Sequence, residues 1–201
     1  MSTHPRRRYT LEEYFALELA SEEKYEYFDG EVYAMSGGSR DHEQIIGNLL
    51  VSLRTELRGR SCRVYPSNLR VKVPSQPPYR YPDLTALCDV PLFEKIGGVD
   101  ALINPTLIVE VLSPTTEAYD RGDKFTHYKS IESFDEYLLV AQHRPHITHY
   151  VRGESGVWSY EEVNDLESSL LVSTLGCRLE LRDVYTDVEF PPSPLPPMER
   201  P

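Results

Sequence analysis

The sequence has no long apolar run. No stretch of its 201 residues approaches the roughly 18 consecutive apolar residues that a membrane-spanning helix requires. The basic residues 1–8 are not followed by the apolar core of a secretory signal peptide. The sequence therefore predicts a cytoplasmic protein that does not bind a membrane.

Cysteine is also scarce. The three cysteines, Cys62, Cys88 and Cys177, are odd in number and far apart, and none belongs to a CxxC pair. Structural zinc clusters use closely spaced cysteine pairs, and disulfides are typical of oxidising compartments. The cysteine pattern therefore excludes a zinc cluster and predicts a reducing cytoplasmic setting.

Basic residues are fewer than acidic ones. The chain has 21 Lys and Arg against 32 Asp and Glu, a formal net charge of -11. Nucleic-acid binding depends on basic contacts to phosphates, so this balance disfavours a tight non-specific binder. Residues 54–82, however, hold seven basic residues and one acid. That segment is either a solvated strand face or a surface that contacts a nucleic-acid backbone, with Arg63, Arg70 and Lys72 as the candidate contacts.

The N-terminal third has the signals of two helices and a hairpin. Thr10 occupies a helix N-cap position with an acid three residues later, so residues 10–19 are predicted to be helical. The Asp29-Gly30 pair is a strong turn signal and predicts a hairpin around it. Apolar residues at helical spacing predict a second, longer helix at residues 40–58.

The remaining sequence is rich in strand signals. Alternating or continuous apolar runs predict strands at residues 62–73 with a break at Pro66, 81–88, 106–112 and 135–141. Residues 170–181 are predicted to be strand-like or irregular. A helix is predicted at residues 121–131 and a peripheral hairpin at residues 146–160. Residues 191–201 hold six prolines and are predicted to be an extended or flexible tail.

The order of these elements predicts an α/β fold. A mixed central β-sheet would be flanked by helices, with a peripheral N-terminal hairpin and a C-terminal extension. A hydrophobic content of 40% and a charged content of 26% are typical of an ordered globular protein. We expect one domain over residues 1–190, with its core at about residues 25–150, followed by the tail.

Two carboxylates stand in apolar strands. Glu110 has only apolar neighbours in its strand, and Asp83 follows Pro82 at the head of another apolar strand. A lone buried carboxylate is costly unless it is paired with a cation or binds a metal. Two such oxygen ligands on neighbouring strands suit Mg²⁺ or Mn²⁺. The alternative is a buried Glu110 that is paired with an arginine or lysine.

A lysine on the following helix strengthens this pattern. Asp120, Lys124 and Tyr128 are spaced four residues apart and share one helix face. Because Tyr128 should face the sheet, Lys124 is expected to point inward as well. An ammonium beside a metal-bound phosphate would stabilise charge that develops in the transition state. The alternative is a simple ion pair between Asp120 and Lys124.

His42 lies on the buried face of the second predicted helix, near the centre of its apolar stripe. It is a candidate supporting residue of the site, or else a core or capping histidine. Glu43 lies on the flank of the stripe and is a secondary candidate that would bind a metal through water.

These motifs resemble a known family, the Uma-two family of restriction endonucleases in the PD-(D/E)XK nuclease superfamily. The resemblance covers about residues 25–150. It rests on these segments: Tyr25-Glu26-x-x-Asp29-Gly30-Glu31, the His42 helix, Tyr81-Pro82-Asp83, Glu110-Val111-Leu112-Ser113-Pro114-Thr115-Thr116, Asp120-x-x-x-Lys124-x-x-x-Tyr128 and Glu136-Tyr137.

The resemblance implies a restriction endonuclease-like core in which Asp83 and Glu110 match the metal-binding acids. The broader superfamily places a lysine two residues after the acid, where this chain has Leu112. In this family the lysine looks relocated to the following helix, where Lys124 matches. The resemblance thus implies a Mg²⁺-dependent or Mn²⁺-dependent endonuclease.

Several functional hypotheses remain open at this stage. The first is a metal-dependent DNA endonuclease, for which we expect a homodimer because a duplex has two strands to cut. The second is a non-catalytic relative that binds nucleic acid or a protein partner, which the acidic balance favours. The third is the same site acting on RNA or a small phosphodiester.

Overall fold

The computed structural model describes residues 7–35, 37–76 and 78–190; the predicted Pro-rich tail lies outside these residues. The longer helices are α1 (Leu11–Ala20) and α2 (Arg40–Glu56). The short helical segments are α3 (Glu117–Tyr119), a π-helical turn (Asp120–Lys124), α4 (Phe125–Tyr128) and α5 (Leu181–Val184). The strands are β1 (Tyr25–Phe28), β2 (Glu31–Ala34), β3 (Arg63–Pro66), β4 (Arg70–Val71), β5 (Leu84–Leu87), β6 (Phe93–Ile96), β7 (Val99–Leu102), β8 (Leu107–Leu112), β9 (Glu136–Ala141), β10 (Ile147–Arg152), β11 (Trp158–Val163), β12 (Ser169–Val172) and β13 (Cys177–Glu180).

The centre of the fold is a six-stranded mixed sheet with the strand order β11-β10-β9-β8-β5-β3. The pair β8 and β9 is parallel, and the other neighbours in this sheet are antiparallel. Every residue of β5, β8 and β9 is buried. Continuous apolar strands of this kind require cover on both faces, which confirms the predicted mixed α/β fold with a central sheet flanked by helices.

Helices cover the two faces of this sheet. On one face, the predicted apolar stripe of α2 packs against β8 and β9, with Leu49 and Leu53 fully buried. On the other face, Phe125 and Tyr128 of α4 pack with Ile108, Leu112 and the inner residues of β9. Side chains alternate along β8, so residues 108, 110 and 112 face α4 and residues 107, 109 and 111 face α2.

The N-terminal elements form where the sequence predicts them. Thr10 caps α1 in a capping box. Asp29 and Gly30 take φ values of 44° and 82° between β1 and β2, as a two-residue hairpin turn requires. A buried cluster that includes Tyr14 and Tyr79 attaches α1 and this hairpin to the central domain.

Three elements differ from the sequence-based expectation. The hairpin β10–β11 is not peripheral: β10 pairs with β9 and extends the central sheet, because the outer edge of β9 needs a hydrogen-bonding partner. The helix predicted at residues 121–131 begins at Glu117, contains the π-helical turn and ends at Tyr128. A hairpin of β6 and β7, which joins β4 in a separate three-stranded sheet, was not predicted.

The C-terminal extension is anchored by a buried acid. Glu136, at the start of β9, is fully buried and accepts hydrogen bonds from the backbone and hydroxyl groups of Ser173 and Thr174. His149 Nε2 lies 3.2 Å from Glu136 Oε1. Burial raises the pKa of Glu136, but the hydrogen bonds from these three residues outweigh it and lower the pKa below its usual value. The turn between β12 and β13 is therefore held to the sheet by a charged group.

The spacing of the cysteines did not predict a disulfide, but the structure contains one. Cys62 and Cys88 form a disulfide, and Cys177 is buried as a free thiol. Although 26 residues separate the first two in sequence, the antiparallel pairing of β3 with β5 brings their positions together. Among the residues that the structure describes, no helix is both long enough and apolar enough to cross a membrane.

Candidate functional site

Two central strands bring the predicted carboxylates together. Strands β5 and β8 are antiparallel with Leu84 opposite Val109, so the next step of the register places Asp83 opposite Glu110. Asp83 Oδ2 accepts a hydrogen bond of 2.7 Å from the backbone N–H of Val111. This bond fixes the Asp83 carboxylate beside Glu110, partly open to solvent.

Glu110 lies in the core with a paired cation. It is 3% exposed and faces α4. The Tyr128 hydroxyl donates to Glu110 Oε1 at 2.8 Å, and Lys124 Nζ lies 2.8 Å from the same oxygen. Burial raises the pKa of Glu110 well above its usual value, the Lys124 ammonium opposes this, and Asp83 and Asp120 add to the rise. The Lys124 ammonium and the Tyr128 hydroxyl therefore both stabilise the charged form of the buried Glu110 carboxylate.

Lys124 reaches the site from the π-helical turn. Its Nζ also lies 3.3 Å from Asp120 Oδ1, so two carboxylates hold the buried ammonium. Burial lowers the pKa of Lys124, but Glu110 and Asp120 outweigh it, and the pKa lies well above its usual value. Lys124 is thus a protonated cation inside the fold. Single π-helical turns within α-helices are frequent at functional sites.

His42 contacts the site from the first turn of α2. Its Nε2 lies 3.3 Å from Asp83 Oδ2, and its Nδ1 lies 3.4 Å from Glu43 Oε1 without forming a hydrogen bond. Burial lowers the pKa of His42, but Asp83 and then Glu43 outweigh it, so the pKa is raised. A Cβ added at Gly38 would lie 2.5 Å from both His42 Nδ1 and Glu43 Oε1, so the glycine allows this close packing.

Sequence reasoning missed two residues near the site. Glu26 of β1 accepts a bond of 3.4 Å from the Tyr81 N–H, and its charge raises the pKa of Lys124 and Tyr128. Arg80, three residues before Asp83, is fully buried. Glu26 belongs to the segment around Asp29-Gly30, but only the position of the hairpin against the sheet shows that its side chain reaches the site.

The candidate basic contacts lie in different environments. Arg70 is buried and pairs with Glu18 of α1 and with the Tyr81 hydroxyl. Lys72 pairs at the surface with Glu94. Arg63 is exposed and donates to its neighbouring carbonyl oxygen. The basic segment is therefore divided between the interior and the surface.

The carboxylates provide hard oxygen ligands for a cation. Within the described ranges, no group of three or more His, Cys, Asp or Glu residues is arranged closely enough to hold a metal ion by itself. Asp83 and Glu110 contribute two carboxylates on adjacent strands. Mg²⁺ suits such a pair because it keeps several waters and takes substrate phosphate into its remaining positions. The donor set fits Mg²⁺ or Mn²⁺ that is bound through two carboxylates.

Two curated relatives come from Synechocystis sp. The uncharacterized protein slr1290 is 35% identical over 182 residues, which cover 89% of this chain and 92% of that protein. The uncharacterized protein sll1609 is 31% identical over 154 residues, which cover 77% of this chain and 86% of that protein.

A solved structure shows the same fold. One crystal structure, from Anabaena variabilis, is described as "a putative nuclease belonging to DUF820". It superposes on this chain with a TM-score of 0.68 and 17% sequence identity. The superposition covers 88% of this chain and 97% of that one. The model of the Uma2 family, described as "Putative restriction endonuclease", matches residues 11–183. The resemblance found in the sequence is thereby confirmed, and the chain belongs to the Uma2 family.

Proposed function

We propose that this protein is a metal-dependent nuclease that hydrolyses phosphodiester bonds in DNA. The observation that carries the proposal is the meeting of Asp83, Glu110 and Lys124 at one point between β5, β8 and the π-helical turn. Two carboxylates and one ammonium are the groups that a metal-assisted attack on a phosphodiester requires. The three residues come from separate segments, so a local sequence preference does not account for their meeting.

The charge balance of the site supports a divalent cation. Asp83, Glu110, Asp120 and Glu26 all act electrostatically on the neighbourhood of Lys124. The Lys124 ammonium, with His42 beside Asp83 at a raised pKa, faces four carboxylates, and buried negative charge is costly when it is uncompensated. A divalent ion at Asp83 and Glu110 would supply the missing positive charge.

Each residue has a distinct role in the proposed reaction. Asp83 and Glu110 would hold Mg²⁺ or Mn²⁺, and the bound ion would polarise a phosphoryl oxygen and lower the pKa of a bound water. Lys124 would move its ammonium from Glu110 to the phosphate and stabilise the developing negative charge. His42 would orient the Asp83 carboxylate from 3.3 Å.

The position of the lysine follows from the packing. Leu112, which stands where the wider superfamily has its lysine, is 3% exposed and belongs to the apolar cluster under α4. A charged group there would be buried among apolar side chains. Lys124 projects from the helix that covers the same face, and its Nζ reaches the same carboxylate.

A cleavage assay with matched variants tests the proposal. Wild-type protein is incubated with linear or plasmid DNA and Mg²⁺ or Mn²⁺, alongside Asp83→Asn and the exposed control Asp89→Asn. We expect wild type and the control to cleave and Asp83→Asn to lose at least about a hundredfold in rate. No cleavage by wild type, or undiminished cleavage by Asp83→Asn, would refute the proposal.

Calorimetry separates this proposal from the second candidate function. The ion pairs of Lys124 with Glu110 and Asp120 already neutralise part of the site without a metal, which favours a non-catalytic module that binds nucleic acid or a protein partner. A nuclease of the proposed kind should bind Mn²⁺ in wild type and lose that binding in Asp83→Asn. DNA binding without any Mn²⁺ binding would support the module instead.

We also propose that residues 7–190 act as one domain and that the protein works on duplex DNA as a homodimer. Sedimentation of the protein in the presence of DNA should show a dimer, and a strict monomer would contradict this. A parallel assay with RNA and with small phosphodiesters would show which substrate the site prefers.

A further inference from the structure

Arg80 is a buried arginine in which two of the three side-chain nitrogens form no hydrogen bond of normal geometry. The side chain is fully buried. Its Nη1 donates to the carbonyl oxygens of Tyr27 and Tyr79, at 3.0 Å and 2.9 Å. Its Nε and Nη2 form no hydrogen bond of normal length and angle with the described residues, and the Tyr119 hydroxyl interacts with the guanidinium only more loosely. Buried polar groups are nearly always hydrogen-bonded, so these two donors call for an explanation.

The two unused donors form one recognition edge. The Nε–H and Nη2–H bonds of a guanidinium point in the same direction and match the two oxygens of a phosphate or carboxylate. Across residues 7–35, 37–76 and 78–190, no carboxylate lies within ion-pair distance of Arg80. A buried cation with a free bidentate edge is therefore prepared for an anion that the described chain does not supply.

Three rings lie beside this edge. Phe28, next to the Tyr27 carbonyl that Arg80 binds, contacts Tyr119 and His127 with centroid distances of 6.5 Å and 5.9 Å. Tyr119 and His127 are partly exposed. Burial raises the pKa of Tyr119 and Arg80 opposes it, whereas burial and then Arg80 both lower the pKa of His127. Both rings are therefore close enough to the Arg80 guanidinium to feel its charge, and both are partly exposed.

We propose that the free edge of Arg80 binds a backbone phosphate of a nucleic-acid strand, next to the phosphate at Asp83 and Glu110. Arg80 precedes Asp83 by three residues, and the charges of Arg80 and Lys124 both act on Tyr119, so Arg80 lies near the candidate site. Tyr119 and His127 turn aside as the strand enters, and their rings, with Phe28, offer surfaces on which bases stack. The inference rests on the proposed function, because it takes a nucleic-acid strand as the substrate.

Binding without metal tests this site separately from cleavage. The anisotropy of a short, fluorescein-labelled single-stranded oligonucleotide is measured in EDTA with wild type, Arg80→Lys and the exposed control Arg58→Lys. Lysine keeps the charge but not the bidentate edge, so we expect Arg80→Lys to bind about tenfold more weakly. The control should bind as wild type does. Equal affinity of wild type and a folded Arg80→Lys would overturn the proposal.

A neutral backbone provides a readout that a merely structural role would not change. With a methylphosphonate oligonucleotide, wild type and Arg80→Lys should bind with the same, lower affinity. A difference that persists with the neutral strand would contradict phosphate recognition. Thermal unfolding of each variant verifies that the fold is intact.

Tyr119→Ala keeps the proposal testable if Arg80→Lys does not fold. This variant leaves the bonds of Arg80 to the Tyr27 and Tyr79 carbonyls in place and removes one ring of the cover. Stopped-flow association should be faster than in wild type, and an unchanged or slower rate would overturn the proposal. If binding depends on Arg80 but no cleavage occurs with Mg²⁺ or Mn²⁺ present, the proposed nuclease activity is contradicted and the proposed phosphate site at Arg80 still stands.

Discussion

Lys124→Met would leave the Glu110 carboxylate in the core with no counter-charge. The wild-type ammonium lies 2.8 Å from Glu110 Oε1, and the carboxylate is 3% exposed among Ile108, Leu112 and Tyr128. Methionine fills a similar volume, so the main change is electrostatic. Removing one partner of a buried pair costs about 3–5 kcal/mol.

The protonation of Glu110 limits this cost. The unfolded carboxyl group has a pKa of about 4.3, and each pH unit above that value adds about 1.36 kcal/mol to the cost of protonating it. At pH 7 protonation of Glu110 therefore costs about 3.7 kcal/mol. The penalty of the variant at pH 7 should therefore lie at about 3–4 kcal/mol. The double variant Lys124→Met with Glu110→Gln removes both charges and should recover most of this loss.

The pH dependence has a definite sign. Burial raises the folded pKa of Glu110, and without Lys124 only the hydrogen bond from the Tyr128 hydroxyl remains to oppose the rise. A raised folded pKa adds stability that is complete below the unfolded pKa and is lost as pH rises through the folded value. The variant should therefore regain stability relative to wild type as pH falls from 7 towards about 4.5.

Urea unfolding at several pH values measures this prediction. Wild type, Lys124→Met and the double variant are compared, with the exposed substitution Lys129→Met as the control for loss of one surface charge. A penalty below about 1 kcal/mol at pH 7, or one that does not change with pH, would refute the assignment of a buried ion pair.

Three further predictions concern the first turn of α2, the disulfide and the buried Glu136. Gly38→Ala should displace His42 and Glu43 in the first turn of α2, because atoms of both side chains lie 2.5 Å from the added Cβ. We expect DNA cleavage to fall about tenfold. The control Gly37→Ala, whose added Cβ meets nothing within 4 Å, should cleave as wild type does. Reduction of the Cys62–Cys88 bond, which closes a loop across 26 residues, should lower the free energy of unfolding by about 3.5 kcal/mol in urea titrations, and a Cys62→Ser variant should not respond to reductant. The depressed pKa of Glu136 contributes stability that is present above its usual pKa and is lost as pH falls through the depressed value. Thermal unfolding of Glu136→Gln should therefore depend less on pH in that range than wild type does.

Local patterns in the sequence were enough to locate most elements. The capping box of Thr10, the Asp29-Gly30 turn and the apolar stripe of α2 are local features, and each element forms where its pattern lies. Local features do not report strand pairing. For that reason the hairpin β10–β11 was predicted to be peripheral but extends the central sheet, and β6 and β7 were not predicted.

The same distinction applies to the site. Alternation along β8 indicated that Glu110 is buried, and helical spacing indicated that Lys124 points inward; the structure places both within 2.8 Å of one another. The roles of Glu26 and Arg80 depend on how the N-terminal hairpin sits against the sheet. No spacing within the sequence contains that information, since the contacting residues are more than 50 positions apart.

The sequence by itself determined which residues would be buried, which carboxylates would need a cation, and which family the motifs resemble. These are consequences of periodicity and of the cost of burying charge, and both act on neighbouring residues. Only the tertiary structure decided that Asp83 stands opposite Glu110, that Arg70 pairs with Glu18, and that Cys62 meets Cys88. Those contacts depend on strand register and chain reversal, which the whole chain sets when it closes its core.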